Sequence, residues 1–243
     1  MGKVNFLLEK VVSIIAKQER GKVLDLGCGD GKTGKKLLDA GFDVHACDMD
    51  IQRFAFPESI RFKAANLNDP LPYENDSFDY VIFMEVIEHI YNPNFVLSEI
   101  SRIIKPGGQL ILSTPNILNI GSRLRFLFEG SYDFFREPIL DYSKDFPMAI
   151  QNMHVIPWRY QELEYLLYKN RIEVMDIHAD LKKNQLVLLK LLLSPMMTLQ
   201  NRSKESRAAK KGGVDFKRIN KVLMSDEILM GRHLIIRAQK FKD

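Results

Sequence analysis

The run Val23-Leu24-Asp25-Leu26-Gly27-Cys28-Gly29-Asp30-Gly31 constrains the fold more than any other part of the chain. An apolar stretch of strand length that stops at three closely spaced glycines describes a buried strand feeding a turn whose backbone a ligand can approach. A second apolar run, Val44-His45-Ala46-Cys47, ends at Asp48, at roughly the twenty-residue offset where such folds set a carboxylate on ribose hydroxyls. Glycines and acid together point to an adenosine-containing ligand.

Downstream, strands and helices alternate. Lys32 to Ala40 reads as a short helix closed by Gly41, Phe42 to Cys47 as the second strand, Ile60 to Ala65 as a weaker strand and Phe78 to Met84 as a strong one. Pro93 to Ile104 reads as a helix, and Gln109 to Ser113 as a strand after the Pro106-Gly107-Gly108 turn. A parallel sheet with helices on both faces is the economical solution, with ligands beyond the carboxyl ends of the strands, where Asp25, Asp48, Asn66 and Glu85 fall. The later half is less regular. Ile117 to Phe128 has helical spacing, Gly130 to Met153 has no clear period, Trp158 to Lys169 returns to helix, and Arg171 to Ile177 and Arg232 to Ala238 read as strands. We therefore expect a single domain over 1–243, with insertions at 117–157 and 181–221 that form an acceptor lid or interface.

A chain of 243 residues, 46% hydrophobic and 27% charged, encloses one full core and is not dominated by disorder. Its net charge of +4 is too mild to argue for nucleic acid. Cys28 and Cys47 both lie in the apolar half and read as buried thiols, which points to a reducing cytoplasm. The interrupted apolar pattern from Val4 to Ile15 is an amphipathic helix and lacks the continuous core of an export signal. Leu186 to Leu199, broken by Lys190 and Pro195, falls short of the roughly twenty apolar residues of a spanning helix.

Gly29-Asp30-Gly31-Lys32-Thr33-Gly34 satisfies GxGxxG and so admits a nicotinamide or flavin reader, whereas a phosphate-binding loop would need its first glycine at Leu26. Four ordered motifs, VLDLGCGDGKTG, VHACDMD, NLNDPLPYENDSFDYVIFMEVIEHI and RIIKPGGQLILSTPN, resemble those of class I S-adenosylmethionine-dependent methyltransferases. The similarity covers Lys22 to Asn116 and is to the broad type 11 group that holds ubiquinone-type O-methyltransferases and bacterial glycan or lipid-pathway methyltransferases. It implies a Rossmann-like, doubly wound α/β fold with a seven-stranded sheet, mostly parallel with the last strand antiparallel. It also implies S-adenosylmethionine as cofactor and S-adenosylhomocysteine as product. Electrostatics agree, because Asp25 and Asp30 would be awkward beside a pyrophosphate but are favourable near a sulfonium and an ammonium.

By this resemblance Gly27 and Gly29 form the cofactor turn, and Asp25 supports the methionine ammonium through it. Asp48 holds the ribose diol with Met49 beside it, Asn66 and Leu67 meet the adenine, and Glu85 stands near the methionine end. Asn66 departs from the acid of many relatives; an amide can still hydrogen-bond adenine through its carbonyl oxygen, with an asparagine in a turn as the alternative. His154 is the candidate general base for a hydroxyl acceptor, against the alternative of a capping or exposed histidine. His89 is a second catalytic candidate, with a structural role as the simpler alternative. In-line displacement at an electrophilic carbon does not oblige the enzyme to hold a metal.

Phe126, Phe128, Tyr132, Phe134, Phe135, Tyr142, Phe146 and Trp158 suggest an aromatic wall for a planar or apolar acceptor, or simply packing over the sheet. Arg123, Arg125 and Arg136 are candidates to pair with an anionic acceptor, or are solvated charge. The apolar run Leu186 to Leu193 precedes Arg202, Lys204, Arg207, Lys210 and Lys211. Residues 186–211 thus read as a peripheral membrane contact, or as a core or dimer-contact helix followed by a solvated loop. We expect O-methylation of a small or lipid-linked acceptor by a cytoplasmic protein with peripheral membrane contact. Nucleic acid is not expected as a partner. An RNA or protein methyltransferase and a non-catalytic cofactor-binding subunit are the alternatives, and the sequence leaves the oligomeric state open.

Overall fold

The computed structural model describes residues 5–145, 148–150, 154–210 and 216–242; Phe146, Met153 and Lys211 lie outside the described residues, as does the side chain of Lys210. The strands are β1 (Lys22–Leu26), β2 (Asp43–Asp48), β3 (Arg61–Ala64), β4 (Phe78–Met84), β5 (Ile104–Pro115), β6 (Ile172–His178) and β7 (His233–Lys240). They form one sheet in the order β3-β2-β1-β4-β5-β7-β6. β1 to β5 pair in parallel, and β7, the last in the chain, runs antiparallel to both β5 and β6. The expected sheet is therefore present.

Strand alternation sorts the core into two layers. Leu24, Leu26, Val81, Phe83, Leu110 and Leu112 pack on one face against α3 (Pro93–Ile103) and α5 (Tyr160–Lys169). Val23, Val44, Ile82, Ile111 and Ile235 pack on the other against α1 (Phe6–Ile15) and α2 (Lys32–Asp39). Asparagines start several helices by accepting an orphan N–H: Asn5 from Leu8 at 3.2 Å, Asn92 from Phe95 at 3.2 Å, and Asn119 from Ser122 at 2.9 Å. Asn119 explains why α4 (Ile120–Glu129) begins later than its apolar spacing suggests.

β5 starts directly after α3, earlier than predicted, because Pro106-Gly107-Gly108 bulges within the strand and does not precede it: Phe78 pairs with Ile104, and the register resumes at Tyr80 with Gln109. A Cβ at Gly108 would lie 2.9 Å from the Asp79 carbonyl oxygen, so the strand crossing there requires glycine.

The region 181–221 is largely one helix, α6 (Val187–Lys210), which continues through Pro195, followed by α7 (Phe216–Leu223) and the short α8 (Asp226–Met230). Leu189, Leu193 and Met197 of α6 pack on a third cluster made by Ile120, Leu186, Leu229 and Met230. Among the described residues no helix is long and apolar enough to cross a membrane.

The chain runs outward from β1 to β3 and then returns to place β4 beside β1. That reversal opens a crevice at the carboxyl ends of β1 and β4, where doubly wound folds bind ligands.

Candidate active site

The turn after β1 is stitched to β2 by two backbone bonds, from the N–H groups of Gly27 (2.7 Å) and Cys28 (3.1 Å) to the Cys47 carbonyl. Gly27 has φ +74°, and a Cβ there would lie 2.5 Å from Val86 Cγ2, so the turn is pressed against the segment following β4. Gly29, at φ +53°, is the opposite case: among the described residues, its chain neighbours aside, no atom lies within 4 Å of where its Cβ would be, so its side of the turn faces open space. Its N–H donates to Asp48 Oδ2 at 2.8 Å, while Asp50 N–H donates to Asp48 Oδ1 at 3.1 Å. Met49, beside them, is 74% exposed.

Asp25 is buried, and its Oδ2 accepts the Gly34 N–H at 3.0 Å, in the first turn of α2. Burial pushes its carboxyl up to about 7, the Gly34 bond opposes that, and the neighbouring Asp48 and Asp30 carboxylates push the same way as burial. Asp30 is offset by Lys32 at 2.6 Å. Asp48 therefore leaves negative charge at the crevice, and Asp25 beneath it ionises more readily once a cationic ligand is present, whereas a pyrophosphate would oppose both.

One sequence expectation needs correction. The carbonyl oxygen of Asn66 already accepts from the Asn68 N–H and from Asn68 Nδ2, both at 3.0 Å. Both lone-pair directions are occupied inside an Asx turn, so this oxygen is not free for adenine; the Asn66 NH₂ group is the side that can donate. Leu67 is half-buried against the core.

Glu85 leaves β4 at φ +55°. Its Oε1 accepts the Ser113 hydroxyl at 2.7 Å, and its Oε2 lies 3.5 Å from His233 Nε2. His233 in turn meets Asp180, through Nδ1 at 2.7 Å and through its backbone N–H at 3.0 Å. Burial works against the Asp180 charge, but the His233 bond and charge hold its carboxyl below the usual range. Glu85 is thus fixed by β5 and β7. Burial, then the charge of Glu88, raises its own carboxyl well above the ordinary range.

Glu88 is completely buried; Oε2 accepts the Thr114 hydroxyl at 3.1 Å, and Oε1 has no hydrogen-bond partner among the described residues. Burial raises this carboxyl also. Two chain-distant residues clamp the same loop, since Val155 and Ile156 N–H both donate to the Glu88 carbonyl at 3.2 and 3.1 Å. Trp158 Nε1 donates to the Ile87 carbonyl at 3.1 Å, which is why α5 starts at Tyr160 and not at Trp158. These bonds bring His154 to His89, with ring centroids 4.9 Å apart. One donor atom from each of Glu88, His89 and His154 lies within 4.8 Å of the others. The two catalytic candidates therefore meet at one place.

Phe126, Tyr132, Phe135, Arg136, His154 and Pro157 help line a cleft of about 480 Å³. Phe126 stacks on Tyr132 at 4.5 Å, and Phe135 approaches His154 at 5.7 Å. Phe128 and Tyr142 instead point to solvent, and Trp158 packs on the core, so the expected wall is only partly assembled. Arg125 pairs with Asp133 at 2.8 Å and Glu129 at 2.9 Å, which commits it to the fold and withdraws it from acceptor binding. Ser113, Thr114, Asp180 and His233 were not singled out by the sequence. The hydroxyl pair is signalled by its place at the end of an apolar strand next to the Glu85–Glu88 loop, whereas no local pattern links His233 to Asp180.

A seven-stranded sheet of this order, with a glycine turn and a strand-end acid at its switch point, defines a Rossmann-like cofactor-binding enzyme fold. A family model described as a methyltransferase domain matches residues 2–191, and the chain belongs to that family. It is similar to the ubiquinone biosynthesis O-methyltransferase of Vibrio atlanticus (strain LGP32), being 28% identical over 148 residues that cover 54% of this chain and 61% of that protein. The matched stretch thus spans less than two thirds of that relative. The fold is shared with a SAM-dependent methyltransferase from Archaeoglobus fulgidus (TM-score 0.59, 17% identity, 96% of this chain and 94% of that one). It is shared also with the [4+2]-cyclase SpnF (TM-score 0.56, 15% identity, 98% and 81%), so the fold alone does not choose the reaction. Family and fold imply S-adenosylmethionine as cofactor, and the open face of Gly29 beside the Asp48 carboxylate fits that ligand.

Proposed function

We propose that this chain methylates an oxygen of a small or lipid-linked acceptor. The observation that carries the reading is the Gly29–Asp48 bond, which sets a carboxylate beside an open backbone turn at the switch point. S-adenosylmethionine supplies an electrophilic methyl group on a positively charged sulfur. Asp48, aligned by Gly29 and Asp50, is assigned to the ribose hydroxyls, with Met49 and the Asn66 NH₂ group flanking the base. Asp25, at the base of the turn and bonded to Gly34 in α2, is assigned to stabilising the cationic end. Leu67 and Glu85 complete the cofactor side, Glu85 being held in place by Ser113. The aromatic cleft has the size of a small-molecule pocket, and the group around His154 and His89 borders it and is assigned to acceptor activation.

The deciding experiment is calorimetric titration with S-adenosylhomocysteine, with NADH as control and Asp48→Ala as the site variant. Saturable binding that the substitution weakens, with no response to NADH, supports the reading. Folded, ligand-free protein that does not bind overturns it. Normal binding without methyl incorporation across hydroxyl acceptors would instead favour a non-catalytic subunit.

The outer face of α6 carries the exposed side chains of Leu188, Leu191, Leu192, Met196 and Leu199, followed by exposed Arg202, Lys204 and Arg207. Apolar area beside basic charge suits the interface of an anionic bilayer, and we assign that face to peripheral docking. Co-flotation with anionic but not neutral vesicles at low salt is expected; absence of flotation would remove the assignment.

A further inference from the structure

We infer that Arg123 and Lys204, together with the amide side chains of Gln200 and Asn201, form a binding site for a single phosphate group in the cavity bounded by α4, α6 and the end of α7.

The unsatisfied charge of Arg123 comes first. The side chain is half-buried, its Nε is out of reach of solvent, and that atom has no hydrogen-bond partner among the described residues. Burial lowers the proton affinity of the guanidinium, and no neighbouring carboxylate raises it. Arginine stays charged even where water is withdrawn, so a guanidinium held this way without a counter-charge is costly. Arg125, two residues on, shows the contrast: Asp133 and Glu129 pair with it at 2.8 and 2.9 Å.

The acids on the surrounding helices are committed elsewhere. Glu129 of α4 is taken by Arg125, and Glu205 of α6 accepts the Asn220 amide at 2.6 Å. On α8, Asp226 pairs with Lys190, and Glu227 pairs with Lys182 at 3.0 Å. Among the described residues no acid lines the cavity, whereas Arg123, Gln200, Asn201 and Lys204 all do. The counter-charge that Arg123 lacks must therefore come from a ligand.

Shape and donor set specify that ligand. Met197, Gln200, Asn201 and Lys204 follow one another at i, i+3, i+4 and i+7, so one face of α6 carries all four. Met197 and Met224 pack on the apolar cluster of Leu229 and Met230 and close the inner side, while Lys204 is exposed and leaves the outer side open to solvent. The volume is about 170 Å³, below the roughly 300 Å³ at which pockets for whole small molecules begin. One compact group fits. A guanidinium, an ammonium and two amides offer more donors than a planar carboxylate can accept, and a tetrahedral phosphate presents oxygens in several directions. Phe126, one helical turn on from Arg123, lines the acceptor cleft, so a phosphate held here lies alongside that cleft without entering it.

The group can arrive on a soluble phosphate ester or as a phospholipid headgroup; the second source rests on the docking assignment for the outer face of α6.

The test is calorimetric titration of the full chain with inorganic phosphate, with acetate at matched ionic strength as control. Saturable one-to-one binding of phosphate is expected. Arg123→Met should weaken it at least roughly tenfold, and Lys204→Gln should weaken it less. Stability separates this role from a merely structural one. Without phosphate, Arg123→Met removes an unpaired charge and should leave Tm unchanged or higher, while the Tm gain on adding phosphate disappears. A lower Tm with an unchanged phosphate response overturns the site, as do absence of saturable binding and an equal response to acetate. If Arg123→Met does not fold, Lys204→Gln decides: weakened phosphate binding supports the site and unchanged affinity overturns it. Glycerol 3-phosphate and phosphatidic acid vesicles, the latter against phosphatidylcholine, then distinguish the sources. Arg123-dependent binding of the ester assigns a soluble ligand; Arg123-dependent co-flotation without ester binding assigns the headgroup. S-adenosylhomocysteine affinity on the same samples reports folding, and phosphate failure with intact S-adenosylhomocysteine binding leaves the methyltransferase reading standing.

Discussion

The backbone N–H of Gly29 points at the carboxylate of Asp48, 2.8 Å away, and joins the turn after β1 to the end of β2. One bond thereby sets both the open face of the turn and the direction of the acid. In Asp48→Ala, Gly29 loses a charged acceptor and the ligand loses its carboxylate. A charged hydrogen bond contributes about 1.5–3 kcal/mol, so S-adenosylhomocysteine affinity should fall roughly ten- to a hundredfold. Calorimetry on the folded variant measures this; an unchanged affinity would move the ribose site elsewhere.

Gly27 and Gly29 should respond differently to alanine. Both have positive φ, which costs on the order of 1 kcal/mol for a side chain. At Gly27 the added carbon also meets Val86 at 2.5 Å, so that variant should lose about 1–3 kcal/mol of stability. At Gly29 nothing stands within 4 Å, so stability should change less while cofactor affinity drops sharply. Urea unfolding and calorimetry separate the two effects; equal destabilisation with retained binding would mean that the open face is not the ligand's.

Asp25 predicts a signed pH dependence. Its folded pKa is raised from 3.8 to about 7, so between those values the folded chain holds a proton that the unfolded chain has released. The stability contribution is therefore greatest below the unfolded value and declines as pH rises, on the order of 1 kcal/mol per unit across that window. Asp25→Asn should flatten this slope in denaturant titrations. Cofactor binding has the opposite sign, because a sulfonium and an ammonium favour the ionised acid: S-adenosylmethionine affinity should rise through about pH 7 in the native protein and much less in the variant.

Asn116 governs stability without touching the cofactor turn. Buried at the end of β5, its Nδ2 donates to the carbonyls of Ile228 (2.9 Å), Gly231 (2.9 Å) and Glu227 (3.2 Å), and its Oδ1 accepts from Leu118 N–H at 3.0 Å. Asn116→Ala leaves several buried groups unpaired and should cost about 2–4 kcal/mol. Thermal unfolding would show it as a large fall in Tm, and a change near zero would contradict the bonding described.

The sequence by itself determined those parts of the protein whose physics is local. The strand ending at Leu26, the glycine turn and the helix from Lys32 were legible because apolar period, glycine conformation and helix start operate within a few residues. Asp48 was legible because its offset from the glycines is set by one helix and one strand. The order of the strands came with the family resemblance and not from periodicity. Tertiary structure alone decided the rest. It occupied the Asn66 carbonyl oxygen with a neighbour's amide and turned Phe128 and Tyr142 outward. It also joined His233 to Asp180 across 53 residues and brought His154 to Glu88 and His89 through backbone bonds to the loop after β4. Such pairings depend on how separate elements pack, and no short-range propensity encodes which carboxylate a distant histidine will meet.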